Sequence, residues 1–182
     1  MGLFHDSAED LRKQRLKELE DKRLRFAQRM QQEGFAPAHM LLASTERGGV
    51  IGLCRDGEEI CLIVGPDFGG DGDFCLERYD RLPARREPFF QASEGMGGIL
   101  GFGKRGATGF YLIVDRGGIE LSIPFITNIN AASEYRMAKN PLLSPKRRRG
   151  DANIVWDMQP IDKRRLPDLE HSIDKIFGNP VH

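Results

Sequence analysis

Four histidines, three cysteines and several clustered acids are the residues of this chain best suited to chemistry. His5, His39, His171 and His182 are scattered, and none has the i, i+4 partner that a helical metal site needs. Cys54, Cys61 and Cys75 form no C-x-x-C pair and lie in apolar, strand-like runs, the pattern of free buried thiols in a reducing compartment. Cys54 or Cys75 with His39 would make a thiol nucleophile, but no neighbouring residue marks a depressed thiol pKa. Asp67, Asp71 and Asp73 bracket a glycine-rich loop that invites calcium. Such loops need about six or more oxygen donors and usually a bidentate acid downstream. Glu77 falls inside a strand run, so the set reads as an acidic hairpin tip. Neither G-x-S-x-G nor H-E-x-x-H occurs. The expectation is a non-enzymatic protein with no cofactor and no metal.

Two further stretches carry chemical promise. Gly101 to Gly106 spells a literal G-x-G-x-x-G. A dinucleotide site needs a strand before that motif and a helix after it, so that a helix N-terminus meets the pyrophosphate. Here the chain runs straight on into the apolar segment 110–114, which predicts a glycine loop between strands. The stronger surface feature is basic. Lys146, Arg147, Arg148 and Arg149 are consecutive, and residues 139–165 hold eight Lys or Arg against three acids. Such a loop stays solvated and attracts phosphates or acidic partners. Lys104 and Arg105 are candidates to join it. Trp156 is the lone aromatic nearby, too few for a platform that stacks single-stranded bases.

The elements that must position these groups follow from periodicity. Residues 6–33 read as a long charged helix, with Asp6 and Glu9 near its start, no internal Pro or Gly, and Gly34 where a helix ends. Glu9/Lys13, Glu18/Lys22 and Asp21/Arg25 are four-residue pairs in the favourable order. Its apolar stripe is narrow, and Leu16, Leu19, Phe26 and Met30 are the candidate interface for self-association or for docking on a partner. From Ala38 the pattern becomes extended: runs at 38–45, 49–55, 59–65 and 73–79 are separated by glycine-rich breaks, with Asp56-Gly57 a hairpin signal. A second hairpin joins 110–114 to 119–125 through Asp115-Arg116-Gly117-Gly118. Residues 130–140 read as helical or irregular, and 154–156 as a short strand. The last helix has Pro167 and Asp168 in its first turn, an apolar face of Leu169, Ile173, Ile176 and Phe177, and Gly178 as its stop. Frequent turns between short strands predict a mainly β (α+β) domain, an antiparallel sandwich or small barrel.

In this order, the glycine-rich 96–106 segment before strand 110–114, the strand ending in Ser122-Ile123-Pro124-Phe125-Ile126, and the closing helix at 166–177 resemble a bacterial pleckstrin-homology-like (PH-like) domain. The similarity is to the type found with short C-terminal oligomerisation modules. It implies a seven-stranded bent sheet capped by one helix, and a non-catalytic interaction role. The domain organisation expected is an N-terminal amphipathic helix at 1–36 and a PH-like β domain at 37–178, with a basic insertion at about 127–165 and the closing helix at 166–178.

Composition bounds the function. Lys+Arg and Asp+Glu both total 27, so the chain is not a globally basic nucleic-acid binder. The N-terminus lacks the basic and apolar regions of a signal peptide, and no apolar run approaches the roughly 18 residues of a membrane span. The expectation is a cytoplasmic binding or scaffolding module that meets a protein partner or itself through the N-terminal helix. Two alternatives are a nucleic-acid or anionic-lipid binder using residues 146–149, and a structural subunit of a phage or secretion assembly.

Overall fold

The computed structural model describes residues 8–44, 49–65, 74–94, 104–130 and 161–182. Helix α1 spans Ala8–Gln32, and a 3-10 turn at Pro37–His39 leads into the strands. Strands β1 (Leu41–Ser44), β2 (Val50–Asp56), β3 (Glu59–Val64) and β4 (Cys75–Tyr79) pair in sequence order as one antiparallel sheet. Strands β5 (Ala84–Glu94), β6 (Lys104–Asp115) and β7 (Glu120–Asn130) form a second, and helix α2 (Leu166–Phe177) follows. The mainly β class is as expected. The barrel form of that expectation is not met, because hydrogen-bonded pairing stops at β1, β4, β5 and β7 and leaves two open sheets.

Each turn has a chemical cause. Helix α1 ends where Gly34 takes φ 93°; Phe35 N then donates to Met30 O at 2.9 Å and Gly34 N to Gln31 O at 3.1 Å. Both bonds satisfy carbonyls that the last helical turn leaves open, and Phe35 packs on the cluster that holds Met30. Asp56-Gly57 makes the expected hairpin, with Asp56 opposite Glu59 and φ 61° at Gly57. At the β6–β7 turn Gly117 and Gly118 both have positive φ, and Asp115 accepts from Gly118 N at 2.6 Å. Helix α2 stops at Gly178, and the Arg55 guanidinium donates to Ile176 O at 3.2 Å.

The central strands of the first sheet, β2 and β3, are buried on both faces, whereas β4 is largely exposed. Ile51, Leu53, Ile60 and Leu62 join Leu112, Val114, Ile123 and Phe125 of the second sheet, and Ile173, Ile176 and Phe177 of α2, in one cluster. Their neighbours Val50, Cys54, Cys61 and Ile63 point the other way, onto Phe26, Met30 and Met40. Two-sided burial explains why β2 and β3 read as unbroken apolar runs without polar alternation. The α1 layer comes close: a Cβ at Gly65 would lie 3.0 Å from both the Phe26 ring and Val50 O.

The second sheet blocks its own edges. Arg86 N donates to His182 O at 2.9 Å, so Arg86 faces outward from β5, and so does Pro88 two residues on. Ile126 O accepts from Ile161 N at 2.8 Å, so Ile126 and Pro124 face outward from β7. Proline has no N–H to offer an incoming strand, which suits it to such positions.

Several boundaries differ from the sequence reading. Strand β5 is new; its charged start and Pro88 hide it from a pattern search. Strand β6 begins at Lys104, so Gly106 of the glycine motif pairs with Ala92 and Asn130 inside a sheet. Strand β7 continues to Asn130, past the 127 where the insertion was expected to begin. The proposed helical or irregular stretch from 131, the strand at 154–156 and the Asp6 cap lie outside the described residues.

Candidate functional site

A groove of about 930 Å³ opens where α1, β1, β7 and α2 converge. Leu41, Leu42, Phe125, Ile126, Ile161 and Leu169 supply its apolar walls. Glu20, Arg23, Arg165, Asp168 and Lys175 are among the charged groups around it. The exposed lining is somewhat more polar than apolar, more so than in the usual small-molecule cleft, while the volume is of the usual size.

Each wall is held by a local device. Strand β1 pairs on one side with β2, in register Leu41 to Leu53 through Ser44 to Val50, and the groove contains all four of its residues. Arg23 reaches from α1 across the free side and donates to Leu42 O at 3.3 Å, with Glu20 3.8 Å from its other terminal nitrogen. Its Nε is buried and has no acceptor among the described residues. On the far wall, Thr127 Oγ1 donates to Thr108 O at 3.2 Å across a bulge between Thr108 and Gly109, and Ile161 covers the edge of β7. Helix α2 is fixed from below by Arg86. That guanidinium lies 2.9 Å from Asp174, donates to Glu170 O at 3.3 Å and sits 5.7 Å above the Phe110 ring. Asp174 also accepts from Val181 N at 3.0 Å.

The groups with displaced proton affinity serve packing and pairing. Burial, with Cys61 alongside, pushes the Cys54 thiol up to about 12, and burial also raises Cys61. The two are direct cross-strand neighbours under α1. Partial burial of Glu77 opposes its ionisation. Hydrogen bonds from Arg116 and Tyr79 outweigh that and hold its carboxyl below the usual range. Arg116 Nε donates to Glu77 at 2.9 Å and Nη2 to its other oxygen, which ties β4 to the β6–β7 turn. The hydrogen bond that the Tyr79 hydroxyl donates to Glu77, with partial burial, raises the Tyr79 phenol.

Of the residues singled out from the sequence for chemistry, His39 lines this groove, and the others that the structure describes do not gather there. Lys146, Arg147, Arg148 and Arg149, the acids Asp67, Asp71 and Asp73, and Trp156 lie outside the described residues. Lys104 and Arg105 pair through their backbones with Glu94 and Ser93; their side chains lie outside the described residues, as do those of Leu16 and Leu19. Phe26 and Met30 are buried on the chain's own first sheet, so the structure gives them an intramolecular contact in place of the interface suggested for them. Cys54 and Cys61 are buried free thiols, as read, whereas Cys75 is exposed on edge strand β4, a correction to the expectation for all three. Among the described residues no cluster of three metal-ligating side chains occurs, and no helix is long and apolar enough to cross a membrane.

The groove itself escaped the sequence reading. Its residues come from α1, the 3-10 turn, β1, β2, β7 and α2 with the stretch before it, spread over most of the chain, and form no motif. The one local signal was β1, a short apolar run with no proline. No protein-family model, no curated protein and no solved structure matches the chain.

Proposed function

We propose that this chain is a non-enzymatic interaction module with a PH-like arrangement, and that its partner seats in the groove between α1, β1, β7 and α2. Four antiparallel strands, then three, then a closing helix whose apolar face joins both sheets support that arrangement. The observation that carries the binding role is the groove at the free side of β1, where apolar walls and charged side chains meet beside an edge strand. Such a site orients an occupant by charge and backbone while its apolar walls supply affinity.

Selection of binders from a random peptide display library, followed by NMR mapping on the full chain, tests this. The expected result is enriched peptides that shift amides of β1, β7 and α2. Binders that map without exception to other surfaces would defeat it.

A second reading has its own support. In α1 the described side chains Asp10, Lys13, Gln14, Lys17, Glu18 and Glu20 are exposed, and among the described residues of the helix the first that is buried as a whole is Phe26. The N-terminal half of the helix is thus placed to meet a second copy. Light scattering on the full chain over a concentration series tests that; a monomer mass throughout would remove it.

A further inference from the structure

We infer that the occupant of the groove is an extended, acidic segment of a partner protein, which adds as a new strand to the free edge of β1. The inference rests on the groove reading above and names the class of partner. Four strand edges are open in the two sheets, and they are not equivalent. Outward positions of β5 and β7 hold Pro88 and Pro124, and Arg86 and Ile126 are bonded to His182 and Ile161. Strand β4 lacks a proline, but none of its residues lines the groove. Strand β1 has no proline. Its outward residue Leu42 meets a side chain alone among the described residues, the Arg23 guanidinium on its carbonyl. Arg23 is a displaceable cover, because a guanidinium at 3.3 Å from a neutral carbonyl can swing to a carboxylate, a stronger acceptor. The unpaired Nε points to the same need for an acceptor.

Charge selects the sequence of the strand. Of the groove acids, Glu20 lies beside Arg23, and Asp162 accepts from Arg164 N at 2.9 Å. That backbone bond leaves Asp162 charged, so the lining sets four cations, Arg23, Arg55, Arg165 and Lys175, against three acids, Glu20, Asp162 and Asp168, a surplus of one cation. A strand alternating acidic and apolar residues would put its acids toward these cations and its apolar side chains on Leu41, Phe125 and Leu169, with period two.

The probes are short synthetic peptides of alternating glutamate and valine or threonine, a matched lysine series, and glutamate peptides N-methylated at one or the other alternate set of amides. With the full chain, fluorescence anisotropy should show the glutamate series binding roughly tenfold or more tighter than the lysine series. One N-methylated set should abolish binding while the other leaves it intact, because a single edge of the peptide pairs with β1. Arg165→Glu with Lys175→Glu, both at exposed positions, should reverse the preference. Equal affinity of the two charge series, indifference to both methylation sets, a helical bound peptide or a second copy of the chain seated in the groove would each overturn the inference. Those outcomes leave the groove reading standing, whereas peptides that perturb only other surfaces sink both. The methylation series needs no protein variant, so a misfolded double substitution does not rescue the idea.

Discussion

Glu77 shows how one carboxylate can hold two sheets together. It accepts from Arg116 with both oxygens and from Tyr79, and the pairing keeps it ionised below the usual carboxylate range despite partial burial. A carboxyl with a lowered folded pKa stabilises fully above its ordinary value of about 4.3, and the contribution is lost as pH falls through the lower folded value. Glu77→Gln should therefore cost about 1–3 kcal/mol at neutral pH, and the gap to the parent should shrink in melts at strongly acidic pH. A gap that does not depend on pH would contradict the ion pair. The thiols make a separate test. Cys75 is exposed while Cys54 and Cys61 are buried and held protonated, so a thiol reagent at mildly alkaline pH should label Cys75 in the folded chain and all three after denaturation.

At the scale of elements, α2 is the piece on which both sheets converge. Ile173 is fully buried among residues of each sheet, so Ile173→Ala should cost about 2–5 kcal/mol, read as a fall in the denaturant midpoint with unchanged slope. Helix α2 was legible in the sequence because proline, acid, apolar spacing and glycine agree along 166–178. The hairpin at Asp56-Gly57 was legible for the same reason, since turn chemistry and flanking apolar runs coincide. Strand β5 was not, because an edge strand closed by Pro88 and begun by Ala84-Arg85-Arg86-Glu87 looks locally like a loop. The unbroken apolar runs of β2 and β3 did hold a clue that a simple reading passes over. A strand with no polar face needs a cover on each side, and α1 is the second cover. The groove was illegible because Arg23, Leu42, Phe125 and Lys175 converge only through the pairing of β1 with β2 and the docking of α2.

Across the whole molecule, α1 is both a layer of the core and the side wall of the groove. Removing residues 1–34 would uncover Val50, Cys54, Cys61 and Ile63 together, and the truncated chain should form aggregates in size-exclusion chromatography with light scattering. A monodisperse, cooperatively melting truncation would show that the second cluster is dispensable. The burial of β2 and β3 from both sides has one more consequence, for solvent access over time. Deuterium should replace protium last at the Cys54 and Cys61 amides, which face each other across β2 and β3, at the tempo of global opening, while the Leu76 amide on the outermost strand exchanges early. The slowest isotope clock in the chain would then tick in the strand pair that water cannot approach from above or below.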